Sequence, residues 1–426
     1  MLSSLKKHLY FLVSGYFAFW AKIVLRRWRP RVIVVTGSSG KTTLFHLIEA
    51  QLGDQAVFSH HANSSIGLPF LVLGLDPNIA RPTDWLTRTL TAPLRAWRRP
   101  PAQKIFVAEA DTDRPHEGDF ISKFLQPEVS MWVSVYRTHS MNFDRLVRAG
   151  KFKTHEEAIA YDFGWFAERA QKLVIANGDQ ELITNELSRV PVGTKTQTVS
   201  DNDLLQYSIK DQATDFKFAD QTISLPGLHP RELGQSLQMT QLLMNYLELP
   251  FDSSFKHLHM PPGRSSIFKG KKDITIVDST YNSGMGAMTA ILKLFSEYPA
   301  QHKWLVVGDI LEQGSLEKEE HEKLAHEVIK VNPERVVLLG PRSKEFTLPI
   351  LERELRDASV VAFEKPLDVL EYLNANLKGG ETILFKGVRY LEGVIEQLLA
   401  DPKDADKLVR RGRAWIKKRQ AWGLPR

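Results

Sequence analysis

Eight consecutive residues carry the clearest chemistry in this chain: Thr36, Gly37, Ser38, Ser39, Gly40, Lys41, Thr42 and Thr43. The two glycines free the backbone to turn its N–H groups inward around phosphate oxygens. Lys41, expected to stand exposed at a helix start, can reach the β- and γ-phosphates of a nucleotide, and the Thr42 hydroxyl can ligate Mg2+. The full phosphate-binding loop reads G-x-x-x-x-G-K-[ST]. Here its first glycine position is Val35, inside a β-branched run. The chemistry survives that change, because a helix starting after Gly40 still aims its positive end at a bound anion. An incidental Gly/Ser turn has the same composition. The position between a β-branched strand and an amphipathic helix favours the nucleotide, with ATP and Mg2+ as the implied cofactors.

Two more polar residues follow apolar runs. Glu109 lies in "KIFVAEAD", and His139 ends "SMWVSVYRTH". In an open parallel sheet, ligands bind outside the carboxyl ends of the strands. Both residues are therefore candidates to join Thr42 as metal ligands. A solitary histidine is more often structural, and a glutamate at a strand end is often merely solvated. The adjacent loop is what gives the pair a role.

The elements that must position these residues alternate between strand and helix. Val32–Val35, Lys104–Ala108, Ser130–Val135 and Lys172–Ala176 read as strands separated by stretches of helical length. That pattern predicts an α/β fold whose sheet is mostly parallel and covered on both faces. After a break near "HMPPGRSS" the alternation resumes, with strands at Ile274–Asp278, Trp304–Gly308, Arg335–Leu339 and Thr382–Phe385. The expected organisation is a segment 1–30, a P-loop ATPase domain 31–260, a second α/β domain 261–400 and a tail 401–426. A chain of 426 residues suits two domains.

Composition bounds the rest. The 43% hydrophobic and 25% charged content is that of a globular protein with a sizeable core. The absence of cysteine excludes disulfides and thiolate chemistry, and is compatible with the cytoplasm. The net charge of +6 gathers at the two ends. The N-terminal apolar run Tyr10–Leu25 contains Lys22 and falls short of the ~20 apolar residues of a spanning helix. It also has no cleavage site of a secretory signal. The tail sets Trp415, Ile416 and Trp422 among arginines and lysines. Basic, aromatic-rich ends point to peripheral contact with an anionic membrane surface. A core helix and a solvated tail are the simpler alternatives. No nucleic-acid-binding motif is present, so nucleic acid is not an expected partner.

With these residues in view, the chain resembles the Mur ligase family, ATP-dependent amide-bond-forming enzymes of cell-wall synthesis. It is most similar to the branch that adds D-alanyl-D-alanine to a UDP-linked tripeptide. "TGSSGKTT" resembles that family's loop, which also lacks the leading glycine. "NSSIGLPF", "EADTDRPHEGDF", "LPGLHPREL" and "PPGRSS" resemble further family segments, with Pro230 replacing an asparagine. "VDSTYNSGMGAM", "VVGDILEQGSLEKEEH" and "LFKGVRYLEGV" are the closest matches after the loop. The resemblance implies a Rossmann-like C-terminal α/β domain that closes over the site. It implies an acyl-phosphate mechanism joining a carboxylate acceptor to an amino acid or peptide amine. It assigns Lys41, Glu109, His139, Arg264 and Lys386 to catalysis. Arg264, Asn282 and Asp309 join residues 36–43 at the nucleotide.

Two departures from the family pattern bear on the substrate. Only residues 1–30 precede the loop strand, where such ligases carry a UDP-binding domain. Phe163 stands where relatives have a lysine that is carbamylated to help hold a second Mg2+. The reading therefore includes a Mur-like ligase with a lipid-linked or non-UDP acceptor. A P-loop phosphotransferase or regulatory ATPase is the alternative of a different class.

Overall fold

The computed structural model describes residues 2–60, 62–79, 81–210 and 213–425. The chain divides into two compact units, Met1–Asp201 with Gln235–Leu258, and Asn202–Gly234 with His259–Arg426.

The first unit is built on a sheet of β1 (Arg31–Thr36), β2 (Ala56–Phe58), β3 (Ile105–Ala110), β4 (Val129–Trp132), β5 (Leu173–Asn177) and β6 (Lys195–Val199). Its order is β2-β3-β1-β4-β5-β6, and every pairing is parallel. Both faces of β1 are buried, as its unbroken β-branched run requires. Val32 and Val34 join one core, while Ile33 and Val35 join another with Leu44, Phe45 and Ile48 of helix α2 (Lys41–Leu52). Helices α1 (Leu2–Trp28), α3 (Gly67–Leu73), α4 (Pro82–Arg95) and α5 (Glu117–Leu125) follow the same chain order.

Helix α1 corrects the reading of the N-terminus in length. Its segment Leu9–Trp28 is long and apolar enough to cross a membrane. One side of that segment is nonetheless part of the core, through Phe17, Ala18, Ala21, Val24 and Trp28.

The second unit holds a sheet of β10 (Ser266–Lys269), β11 (Thr275–Ser279), β12 (His302–Gly308), β13 (Arg335–Leu339), β14 (Ser359–Phe363) and β15 (Glu381–Lys386), in the order β10-β11-β15-β12-β13-β14. Only β10 runs antiparallel. A small antiparallel sheet of β7 (Gln206–Ile209), β8 (Ala213–Lys217) and β9 (Thr222–Pro226) belongs to this unit, although sequence alone groups it with the P-loop region. The reason is apolar: Leu228 is buried in the second unit's core and Ile209 packs against it.

The tail is also part of the second unit. Leu408 and Leu424 are buried in its core. Arg411 grips Glu396 through two hydrogen bonds of 2.7 and 2.9 Å, and Arg419 adds a third at 2.9 Å. The rings of Trp415 and Trp422 lie 6.4 and 6.3 Å from Tyr390. Much of the tail's charge and aromatic surface is therefore engaged by the fold.

Candidate functional site

The strand order of the first sheet reverses at β1, which has β3 on one side and β4 on the other. A crevice opens outside the carboxyl ends of strands at such a point. Register brings the right loops there: Thr36 is level with Ala110 on β3 and with Trp132 on β4. Residues 37–40, 111–116 and 133–139 thus leave the sheet together.

The loop after β1 has a forced conformation. Gly37 and Gly40 have φ of 130° and 81°, where side chains are disfavoured. A Cβ on Gly37 would lie 2.8 Å from the Ser134 backbone N and O. Strand β4's extension fixes the loop from outside: Ser38 N donates to Ser134 O at 2.9 Å, Ser39 N to Ser134 Oγ at 2.9 Å, and Ser38 Oγ to Tyr136 O at 3.0 Å. Thr36 is fully buried and donates to Ala110 O at 3.0 Å, so it positions the loop through β3. Thr43 follows on the first turn of α2.

Lys41 is 7% exposed, unlike the solvent-facing lysine expected at a helix start. Its ammonium donates to Gly37 O at 2.5 Å and pairs with Asp111 Oδ2 at 2.8 Å. Thr42 Oγ1 donates to Glu109 Oε1 at 3.2 Å. Glu109's own N–H donates to Ser59 Oγ at 2.9 Å. A hydroxyl and a carboxylate so placed form the hard oxygen donor set that Mg2+ prefers, with Asp111 adjacent.

His139 stands seven residues beyond the end of β4, with φ 50°. Its Nε2 lies 3.3 Å from Asp113 Oδ1. Burial pushes the Asp113 carboxyl up to about 6, the Asp111 charge adds to the rise, and His139 and Lys41 oppose it. Three pairs thus line the ends of these strands: Lys41 with Asp111, Thr42 with Glu109, and His139 with Asp113, whose carboxyl feels the charges of Asp111 and Lys41. The sequence reading did not single out Asp111 or Asp113. Their signal was present in "EADTD", where carboxylates alternate at a strand's carboxyl end.

Glu117 organises this segment from beneath. It is 1% exposed and accepts from Ser65 Oγ at 2.8 Å, Tyr10 OH at 3.0 Å and Asp113 N at 3.2 Å. Away from the loop, His46, Glu49 and His60 bring ligand atoms within 4.8 Å of one another and form a separate group able to hold a metal ion.

In the second unit, Asn282 and Lys386 meet at the carboxyl edge of the sheet. Lys386 is 2% exposed and donates to Asn282 Oδ1 at 3.2 Å. Burial lowers its amine to about 7, the Arg264 charge pushes the same way, and Asp278 opposes. Arg264 stacks on the Tyr281 ring, 4.3 Å from its centroid. Asp309 is fully buried and its carboxylate is already engaged. Oδ1 accepts from Ser343 N at 2.9 Å, and Oδ2 takes Arg389 Nε and Nη2 at 3.0 and 2.8 Å. That geometry makes Asp309 a positioning residue for Arg389.

Phe163 is fully buried in the first unit's core on the helix His155–Glu168, with its ring 6.3 Å from that of Trp132. The adjacent Asp162 accepts from His116 N at 2.8 Å and Gly118 N at 3.0 Å.

Comparison with known proteins supplies relatives for the chain as a whole. Residues 263–389 match the family profile described as the Mur ligase, glutamate ligase domain. The UDP-N-acetylmuramoyl-tripeptide–D-alanyl-D-alanine ligase of Bacillus subtilis (strain 168) is 25% identical over 394 residues, 90% of this chain and 79% of that protein. The Escherichia coli (strain K12) ligase of the same name is 23% identical over 348 residues, 78% and 69% of the two chains. Among solved structures, a MurF ligase from Thermotoga maritima in complex with ADP covers 92% of this chain and 84% of its own, with a TM-score of 0.72 and 21% identity. The chain has a Mur ligase C-terminal domain and a Mur ligase fold, and its homologues are peptide ligases.

Proposed function

We propose that this chain is an ATP-dependent amide-bond-forming ligase of peptidoglycan precursor synthesis, adding D-alanyl-D-alanine or a related amine to a peptide carboxylate. The observation that carries the reading is the buried Lys41 held between the Gly37 carbonyl and Asp111. A lysine fixed there is preorganised for a phosphate, which would take the place of Asp111 as its anionic partner.

The reaction runs in two steps. The acceptor carboxylate attacks the γ-phosphorus of ATP, forming an acyl phosphate and releasing ADP. The amine then attacks the acyl carbon, and the tetrahedral intermediate collapses to the amide, expelling phosphate as the nitrogen loses a proton. Lys41 and the loop N–H groups neutralise charge on the transferring phosphoryl group. Thr42 and Glu109 would hold Mg2+, which supplies further charge neutralisation when bound. His139, whose Nε2 faces Asp113, is assigned to the same metal as a third ligand. Arg264 and Asn282 are assigned to the nucleotide, Arg264 and Lys386 to catalysis, and Asp309 acts through Arg389. A reaction that consumes ATP suits the cytoplasm, the compartment this reading assigns.

The test is release of ADP and phosphate with D-alanyl-D-alanine and UDP-linked or lipid-linked muramoyl tripeptides. A ligase turns over only when acceptor and amine are both present. Steady turnover with neither would replace this reading by a regulatory ATPase.

A further inference from the structure

Two helices of the first unit are apolar on two sides. Helix α1 buries Phe17, Ala21, Val24 and Trp28, the spacing of a single helical face. Away from that face Leu9, Leu12 and Phe19 are 60%, 70% and 60% exposed. Helix α4 repeats the pattern. Ala92 and Ala96 are buried, Trp85 packs on the core, and Leu86, Leu90, Leu94 and Trp97 are 61–75% exposed. At ~100° per residue the inward and outward stripes lie roughly 135° apart on each helix. Seven of the fifteen exposed large hydrophobic side chains among the described residues stand on these two helices and the residue pair after α4. Scattered exposed leucines are ordinary, but aligned stripes of them mark an interaction surface.

The stripes open on the same side. Tyr16 OH donates to Thr89 O at 2.7 Å, and Arg27 donates to Ala96 O and Arg98 O at 3.1 Å each. Those contacts run in the same order along both helices, so the helices lie side by side and parallel. Tyr16 and Arg27 on α1, and Thr89 on α4, each fall between the inward and outward stripe of their helix, and in opposite rotational senses. Two helices resting on one core in that way turn their remaining apolar faces the same way.

The parallel arrangement also collects charge. Arg26 and Arg27 end α1, Arg95 and Arg99 lie at the matching end of α4, and all four are exposed. Arg27 stacks on Trp97, 5.5 Å from its ring centroid. We propose that this face docks on the surface of an anionic phospholipid bilayer, with the leucines and Trp97 in the headgroup–acyl boundary and the arginines against lipid phosphates. Crossing the bilayer would draw Phe17 and Trp28 out of the core, so α1 lies on the membrane. The proposal stands independently of the ligase reading.

The experiment is co-sedimentation of the full chain with vesicles of phosphatidylcholine alone or mixed with phosphatidylglycerol, at low and high salt. The chain should partition onto the anionic vesicles, and salt should weaken that binding. The triple variant Leu86→Glu, Leu90→Glu, Leu94→Glu should partition about tenfold or more weakly, with an unchanged melting temperature because all three side chains are exposed. The double variant Arg95→Gln, Arg99→Gln should lose part of the salt dependence. Failure of the wild type to bind anionic vesicles at low salt would overturn the proposal. So would equal binding by the triple variant. A dimer in light scattering that the triple variant dissolves, without lipid binding by either protein, would assign the face to a second copy instead.

Discussion

Replacing Lys386 by methionine should stabilise the protein near neutral pH while abolishing its activity. The side chain is almost fully buried, with its amine lowered from 10.5 to about 7 mainly by burial and secondly by Arg264. At about 1.4 kcal/mol for each tenfold, that fall corresponds to about 5 kcal/mol. Between pH 7 and 10.5 the unfolded chain holds a proton on this lysine that the folded chain lacks, so raising the pH favours folding. The cost is therefore fully present below about pH 7 and gone above 10.5. Methionine removes it at similar volume. One loss offsets part of the gain: Asn282 Oδ1 gives up a hydrogen bond of about 1 kcal/mol, while the attraction of Asp278 is already contained in the lowered amine value. The net expectation is about 3–4 kcal/mol of stabilisation at pH 6.5, nearly gone by pH 9.5. Urea denaturation of both proteins at pH 6.5, 8 and 9.5 measures it. Equal midpoints at every pH, or a variant weaker at pH 6.5, would refute the reasoning. A stabilised variant that kept its turnover would separate Lys386 from catalysis.

Further outcomes follow from other contacts. Lys41→Ala should lower turnover about 10²–10³-fold, because its ammonium is fixed at the loop, and the fold should persist in circular dichroism. Phe163→Ala should cost about 3–5 kcal/mol in denaturant unfolding, since a fully buried ring leaves a cavity against Trp132. Activity in CO2-depleted, mildly acidic buffer should not change when bicarbonate is added; a clear rescue would reveal a carbamylated lysine at the site. Glu109→Gln should weaken the response to Mg2+ more than nucleotide binding itself, measured by titrating each separately.

The parallel strands were legible because burial on both faces writes continuous apolar runs. All eight strands expected from the sequence are present, with ends shifted by a few residues, most at β4, which ends at Trp132. What escaped were short, polar or edge strands. β2 has three residues, β6 is the polar edge strand KTQTV, β7 to β9 form a small antiparallel sheet with polar alternation, and β10 and β14 are the half-exposed edges of the second sheet. The loop and Glu109 stand out in the sequence at the ends of apolar runs, whereas His139, read as ending such a run, lies seven residues beyond β4. Asp111, Asp113 and Glu117 were not singled out, because a carboxylate in a polar loop looks solvated until burial and partners are known. The apolar face of α4 was hidden for the opposite reason. Leucines at helical spacing read as core, and only the packing of Ala92 and Ala96 shows which side faces inward.

Phe163 shows how one residue ties these levels together. Its ring turns into the core against Trp132, the last residue of β4. That packing fixes the rotation of the helix His155–Glu168, so the preceding Asp162 faces the start of α5. There its carboxylate accepts from His116 N and Gly118 N. A Cβ on Gly118 would stand 1.9 Å from the Asp162 carbonyl oxygen, so helix and segment can approach only because that residue is glycine. The segment held this way runs directly into Glu117, which takes the Asp113 N–H. Asp113 faces His139 and Asp111 faces Lys41. In this chain the helix therefore acts on the site through backbone clamping, and the negative charge beside the loop comes from Glu109, Asp111 and Asp113. Phenylalanine at position 163 has no amine to carbamylate and no oxygen to offer a cation, which is the chemical reason to expect no bicarbonate dependence.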